Sequence, residues 1–139
     1  MVTSYREFGK VDKHLLQLLM PESRDDLVDF LNRRLNAVLF PDACPTGLQV
    51  YGSRTVDSVV TAVSASRDLF QMAAEKKAAM IIVHHGLFWD GDSRVIDPLM
   101  RERLSLLFQH EMSLVAYHLP LDSHSTLGNN ARIIAALGF

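Results

Sequence analysis

Cysteine occurs once in the chain, at Cys44, so no internal disulfide forms and the sequence fits a reducing compartment, which points to a cytoplasmic protein. Long apolar runs are also missing. No stretch approaches the roughly 20 residues that span a bilayer, so no membrane association is expected. The opening Met1-Val-Thr-Ser-Tyr-Arg-Glu7 lacks the apolar centre of a secretory leader. An excess of one charge is lacking as well. Lys and Arg number 14 against 16 Asp and Glu, a net charge of −2. That excludes the strongly basic surface which draws nucleic acid, so a nucleic-acid partner is not expected. Internal repeats and low-complexity tracts are absent, which removes solenoids and linkers.

What remains is an ordinary globular composition, 48% hydrophobic and 22% charged, on 139 residues, enough for one domain with a modest core. Apolar spacing predicts a short helix over Lys10 to Met20, which Pro21 interrupts. Ser23, followed by Asp26, reads as the N-cap of a helix running to about Asn36, with Leu27, Phe30, Leu31 and Leu35 on one face. Phe40 to Pro45 is loop. Gly47 to Gly52 and Val56 to Ser64 read as strands, and Ser66 caps a helix over Arg67 to Lys77. Ala79 to Val83 is a continuous apolar run suited to a strand buried on both faces. A helix from Asp97 to His110, a buried strand over Ser113 to Tyr117 and a helix from Asn129 to Leu137, stopped by Gly138, complete the chain. From Val56 onward the order is β-α-β-α-β-α, the signature of an α/β fold with a small, mostly parallel sheet flanked by helices. Gly47 to Gly52 is a candidate edge strand.

Ligands in such sheets bind beyond the carboxyl ends of the strands. His84 and His85 directly follow one predicted strand; His118 directly follows the next, with Asp122 four residues on. Neighbouring strands lie about 4.8 Å apart, so the two loops emerge close enough to share an ion. His84 and His85 would point to opposite faces of an ideal strand, and Gly86 is expected to let the backbone turn so that both reach the edge. Pro120 argues against a helix through His118 and Asp122, so a loop is expected to present that pair. Imidazole and carboxylate donors suit Zn, Fe, Mn, Co or Ni better than Ca or Mg. Such a site acidifies bound water, which makes hydrolysis the natural chemistry. Spacing alone leaves a plainer reading open, in which these are hydrogen-bonded structural histidines.

Other candidates are weaker. Asp90-Gly-Asp92 reads as a turn, since no Glu follows at calcium-loop spacing. His124 reads as a solvated loop residue, His14 and His110 as helix surface or packing residues. Ser64 and Ser66 suit capping better than phosphate binding, Gly47 and Gly52 are too sparse for a phosphate loop, and Cys44 has no partner that marks a nucleophile. Phe88 and Trp89 belong to the core or to a pocket wall.

Four segments, Pro45-Thr-Gly-Leu-Gln-Val50, Ile81-Ile-Val-His-His-Gly-Leu-Phe-Trp89, His118-Leu-Pro-Leu-Asp122 and Leu127-Gly-Asn-Asn130, resemble the bacterial YbgI proteins of the Nif-three-like, dinuclear-metal-centre family. The resemblance runs from about Leu27 to the end. It implies an α/β fold, metal ligation by His84, His85, His118 and Asp122, a pair of ions per subunit and toroidal hexamers built as trimers of dimers. Members are often named homologues of a GTP cyclohydrolase, which implies a metal-dependent hydrolase.

The sequence departs from the family at Thr46, where an Asn is usual, and in length. Family members are about twice as long, and their second half supplies a further His and a Glu to the dinuclear site. The chain thus resembles the first half of a YbgI-like protein, with an N-terminal extension over residues 1–22 and a metal-binding α/β domain over residues 23–139. At most one tightly held ion is then expected, with exposed apolar surface that favours self-association. The alternative is a non-enzymatic metal-binding scaffold or oligomerisation module.

Overall fold

The computed structural model describes residues 21–138, so the helix expected over Lys10 to Met20 and His14 lie outside the described residues. The first elements are β1 (Glu22–Ser23) and α1 (Arg24–Arg34). Ser23 caps α1 as expected, its hydroxyl accepting from the Asp26 amide at 3.4 Å. The helix buries Arg24 and Val28, and Leu35 is buried just past its end, whereas Phe30 is 55% exposed. Phe30, expected on one face with Leu27, Leu31 and Leu35, lies two residues past Val28, about 200° round the helix, and so turns outward. A 3-10 turn over Ala37–Leu39 and an irregular loop lead to β2 (Gly47–Val50).

The run expected as one strand from Val56 to Ser64 is two. Thr55–Val56 forms β3, which pairs antiparallel with β1, and Val59–Ser64 forms β4. The short β1–β3 ribbon ties the start of α1 to the sheet. Next come α2 (Arg67–Glu75), β5 (Met80–His85), α3 (Pro98–Gln109), β6 (Ser113–Ala116), α4 (Leu119–Asp122) and α5 (Asn129–Ala136). Ser66 and Asp97 cap α2 and α3 through the Leu69 and Met100 amides, at 3.2 and 2.7 Å.

The main sheet has four strands in the order β2-β6-β5-β4. β4, β5 and β6 are parallel, and β2 runs antiparallel along β6 as the edge strand, so the sheet is mixed and mostly parallel. Both faces are covered. Ile81, Val83, Leu114 and Ala116 pack with Phe70, Ala73 and Leu107 from α2 and α3; Met80, Val115 and Tyr117 pack with Val28 and Leu35 from α1 and its end. This two-sided burial is why β5 and β6 read as unbroken apolar runs. It also fixes register, because a slip of one residue would exchange the two faces. Among the described residues no helix is long and apolar enough to cross a membrane.

Candidate metal centre

β5 extends through both histidines instead of stopping at Val83. Alternation along the strand puts His85 in phase with Ile81 and Val83, on the side of α2 and α3, and His84 in phase with Met80 and Ile82, on the side of α1. The two rings nonetheless meet over the rim of the sheet, with centroids 4.5 Å apart. β6 ends beside them, its Val83↔Ala116 register followed by a hydrogen bond from Tyr117 N to Val83 O at 3.0 Å. The next residue, His118, brings its ring centroid to 4.8 Å from His84 and 5.5 Å from His85. One ligand nitrogen from each of the three lies within 4.8 Å of the others.

Each Nδ1 is engaged. His84 Nδ1 lies 3.1 Å from the Tyr117 carbonyl, which only accepts, so that nitrogen carries the hydrogen and Nε2 is bare. His85 Nδ1 lies 3.0 Å from the Ser64 hydroxyl, and His118 Nδ1 lies 3.0 Å from Asp42 Oδ1. No Nε2 of the three has a hydrogen-bond partner among the described residues. Rings held at Nδ1 with Nε2 left unengaged are what ligation of a metal requires.

Asp122 joins from α4 with Oδ2 3.6 Å from His84 Nε2, outside the three-histidine set, while its Oδ1 accepts from Asn129 Nδ2 at 2.8 Å. Here the expected loop is corrected. His118 N-caps a helical turn, Asp122 N donates to His118 O at 3.1 Å, and the pair stands at i,i+4 after all. Pro120 sits in the first turn, where an amide has no helical partner to lose, so it is tolerated there.

The turn after His85 is held by a residue from β2. Gln49 Oε1 accepts from Leu87 N at 2.8 Å, and its Nε2 donates to Pro45 O at 2.8 Å and to Cys44 Sγ at 3.3 Å. Gly86 has no left-handed φ, contrary to the role expected for it; a Cβ there would displace the Gln49 amide from its hydrogen bonds. Trp89 walls the site, its ring meeting His118 edge-on at 5.2 Å with Nε1 donating to Gly86 O at 3.2 Å. A cavity of about 410 Å³ opens beside His85, lined among others by Ser64, Trp89, Met100 and Arg103.

Burial lowers the His85 pKa from its ordinary 6.5, with help from neighbouring His84 and His118 and against the opposing pull of Asp122. For Asp42, burial pushes the pKa up, but the hydrogen bonds from His118 and the Leu119 and Cys44 amides, together with the charge of His118, outweigh it, and the net shift is below 3.8. Burial raises the Cys44 thiol, which fits a packed, unreactive cysteine.

The minor candidates sort out. Asp90 to Asp92 forms a turn, with Asp92 N donating to Trp89 O at 3.1 Å. His124 is half-buried and structural, its Nδ1 taking the Thr126 and Leu127 amides at 3.2 and 3.1 Å and its Nε2 lying 3.0 Å from Arg34 Nη1. His110 is exposed at the end of α3. Sequence reasoning missed Asp42, Gln49 and Asn129 as supports of the site. Nothing near Asp42 in the sequence marks it, because its partner lies 76 residues away.

These features define an α/β domain with a histidine cluster on the carboxyl rim of its sheet. The family model for Duf34/NIF3 (NGG1p interacting factor 3) matches residues 23–139, and the chain belongs to this family. Proteins named GTP cyclohydrolase 1 type 2 homolog are similar to it. The one from Neisseria meningitidis serogroup A is 42% identical over 116 residues, covering 84% of this chain and 47% of the relative. The one from Escherichia coli K12 is 45% identical over 113 residues, covering 81% and 46%. The solved structure of protein ybgI, described as of unknown function, superposes with a TM-score of 0.82 at 44% identity, over 84% of this chain and 47% of that one. The chain therefore spans about half the length of the relatives it matches.

Proposed function

We propose that His84, His85 and His118, joined by Asp122, hold a divalent transition-metal ion, and that this centre serves a metal-dependent hydrolase. The convergence of one ligand nitrogen from each of His84, His85 and His118 within 4.8 Å carries the reading. Zinc–nitrogen bonds of about 2.1 Å put two ligands at most about 4.2 Å apart, so a small inward movement closes the set. Neutral imidazole with carboxylate suits Zn, Fe, Mn, Co or Ni. An ion bound there would supply Lewis acidity for hydrolysis. The chain's own residues do the rest: Ser64, Tyr117 O and Asp42 hold the rings, Asn129 turns Asp122 Oδ2 toward His84, and Trp89 shields one side. The cavity beside His85 is the place for a substrate. Hydrolysis is also the reaction class suggested by the cyclohydrolase-homologue names of the relatives.

The test is metal content per chain, by elemental mass spectrometry, on protein purified without chelator or affinity-metal resin. Near-stoichiometric transition metal, lost on Asp122→Ala or His85→Ala, is the expected result. Protein that stays metal-free after incubation with Zn, Mn and Fe(II) would overturn the proposal.

A second reading, a metal-binding scaffold that acts through assembly, draws on exposed apolar side chains such as Val38 (93%), Val63 (65%) and Phe108 (60%). Asp122→Asn separates the two. A hydrolase loses turnover with its fold intact, whereas a scaffold keeps its partner binding.

A further inference from the structure

We propose that Asp42 is the positioning residue of this metal site, a buried carboxylate that fixes His118 as the Nδ1–H tautomer with Nε2 directed at His84 and His85. The inference rests on the metal-binding reading above and adds a residue to it. Asp42 lies in the irregular loop before β2, and its side chain is 3% exposed. A carboxylate this buried needs donors to offset the loss of water. It has three. Oδ1 takes His118 Nδ1 at 3.0 Å and Cys44 N at 3.1 Å, and Oδ2 takes Leu119 N at 2.8 Å.

The two amides can only donate, so they occupy one lone pair on each oxygen. The hydrogen shared with His118 stays on the ring, because imidazole is a stronger base than carboxylate. Nδ1 is therefore the nitrogen that donates, which in the neutral ring leaves Nε2 as the one able to ligate. Neither of the other rings has such a partner at Nδ1. His84 Nδ1 leans on a backbone carbonyl and His85 Nδ1 on a hydroxyl, so among the three Nδ1 atoms only that of His118 meets a carboxylate. Carboxylate behind imidazole fixes the tautomer and makes the ring a better donor to metal. The same carboxylate, through Leu119 N, also sets the first residue of α4, the turn that carries Asp122. One side chain thus aligns both ligands of the second segment.

Asp42→Asn tests this with nearly the same shape. An amide has one acceptor oxygen and one NH2, so it cannot serve Leu119 N on one side and both donors on the other. If its oxygen stays on Leu119, its NH2 faces His118 Nδ1 and favours the Nε2–H tautomer, which blocks ligation. Two measurements on the full chain read the effect. The first is a long-range proton–nitrogen NMR spectrum of metal-free protein, which reports the His118 tautomer. The second is a Co(II) titration followed by its visible absorption. The expected result is Nδ1–H in the wild type and a loss of about 10–100-fold in cobalt affinity in Asp42→Asn. Cobalt uptake that Asp42→Asn matches within about twofold, or Nε2–H in the wild type, would overturn the role of Asp42 and leave the metal site standing. No uptake by the wild type would overturn the metal site, and this inference with it. Should Asp42→Asn fail to fold, the wild-type tautomer still decides.

Discussion

His85 is a ligand candidate whose own environment sets a pH limit. Burial, then the neighbouring His84 and His118, hold its pKa below 6.5 while Asp122 opposes them. The neutral form needed for ligation is therefore favoured at pH 7 more than in an ordinary histidine. The sign follows from linkage. A depressed folded-state pKa gives stability that is fully present above the unfolded value of 6.5 and is lost as pH falls through the folded value. Metal occupancy should stay level from pH 8 to 7 and decline only below 6.5, which equilibrium dialysis with Zn across that range would check; a decline already complete at pH 7 would contradict it. Thr46 gives a second prediction at this scale. Its hydroxyl is buried without a hydrogen-bond partner among the described residues. Such an orphan costs about 1–3 kcal/mol, so Thr46→Val should be neutral or stabilise by about 1 kcal/mol in urea denaturation, against the usual direction for a change at a half-buried position. The sequence made the four proposed ligands legible because each directly follows, or closely trails, an apolar strand. It hid Asp42 and Gln49, because what identifies them is contact across the fold: His118 lies 76 residues from Asp42, and Leu87 lies 38 residues from Gln49.

Elements place the ligands, and the turn after β5 is the most exacting of them. β5 carries His84 and His85, and the backbone must then leave the sheet at once beneath the Gln49 amide. Gly86→Ala would push the Gln49 amide aside and break its hydrogen bond from Leu87 N, a cost of about 1–3 kcal/mol. Gln49→Ala leaves Leu87 N without its acceptor, a penalty of about 1–3 kcal/mol. Both variants should unfold at lower urea concentration and lose metal affinity together, whereas the cap variant Asp97→Ala should lose about 1 kcal/mol with metal affinity unchanged. Coupled loss in the first pair and its absence in the third would identify the turn as part of the site; equal metal affinity in all three would not. Element types were readable wherever hydrophobic period and caps agreed, as at Ser23, Ser66 and Asp97. They failed where partners decide. Thr55–Val56 is a separate strand because Glu22–Ser23 pairs with it, and the turn at Leu119–Asp122 forms despite Pro120 because Asp42 takes the Leu119 amide.

At the scale of the whole molecule, the ion would add a tie between segments that the sheet already brings to one rim. His84 and His85 end β5, His118 and Asp122 open the segment after β6, and Asp42 belongs to the loop before β2. Binding at their junction stabilises the folded state by mass action, about 2.7 kcal/mol at a free metal concentration one hundred times Kd. For a domain of this size that corresponds to a rise in Tm of roughly 10 °C. The ligand nitrogens within 4.8 Å of one another suit one ion, and Asp122 flanks His84 alone, so the expected stoichiometry is one ion per chain. Adding Zn to metal-free protein should therefore raise Tm until one equivalent is bound, and each further tenfold excess should add only about 1.4 kcal/mol. A chelator should reverse the rise, and His118→Ala should be insensitive to both. Two tightly held ions per chain, measured on monomers by native mass spectrometry, would refute the single-ion site. Two ions found only in an assembled species would mean that neighbouring copies complete the centre, and the apolar residues exposed at Val38, Val63 and Phe108 are where such contacts should first be sought.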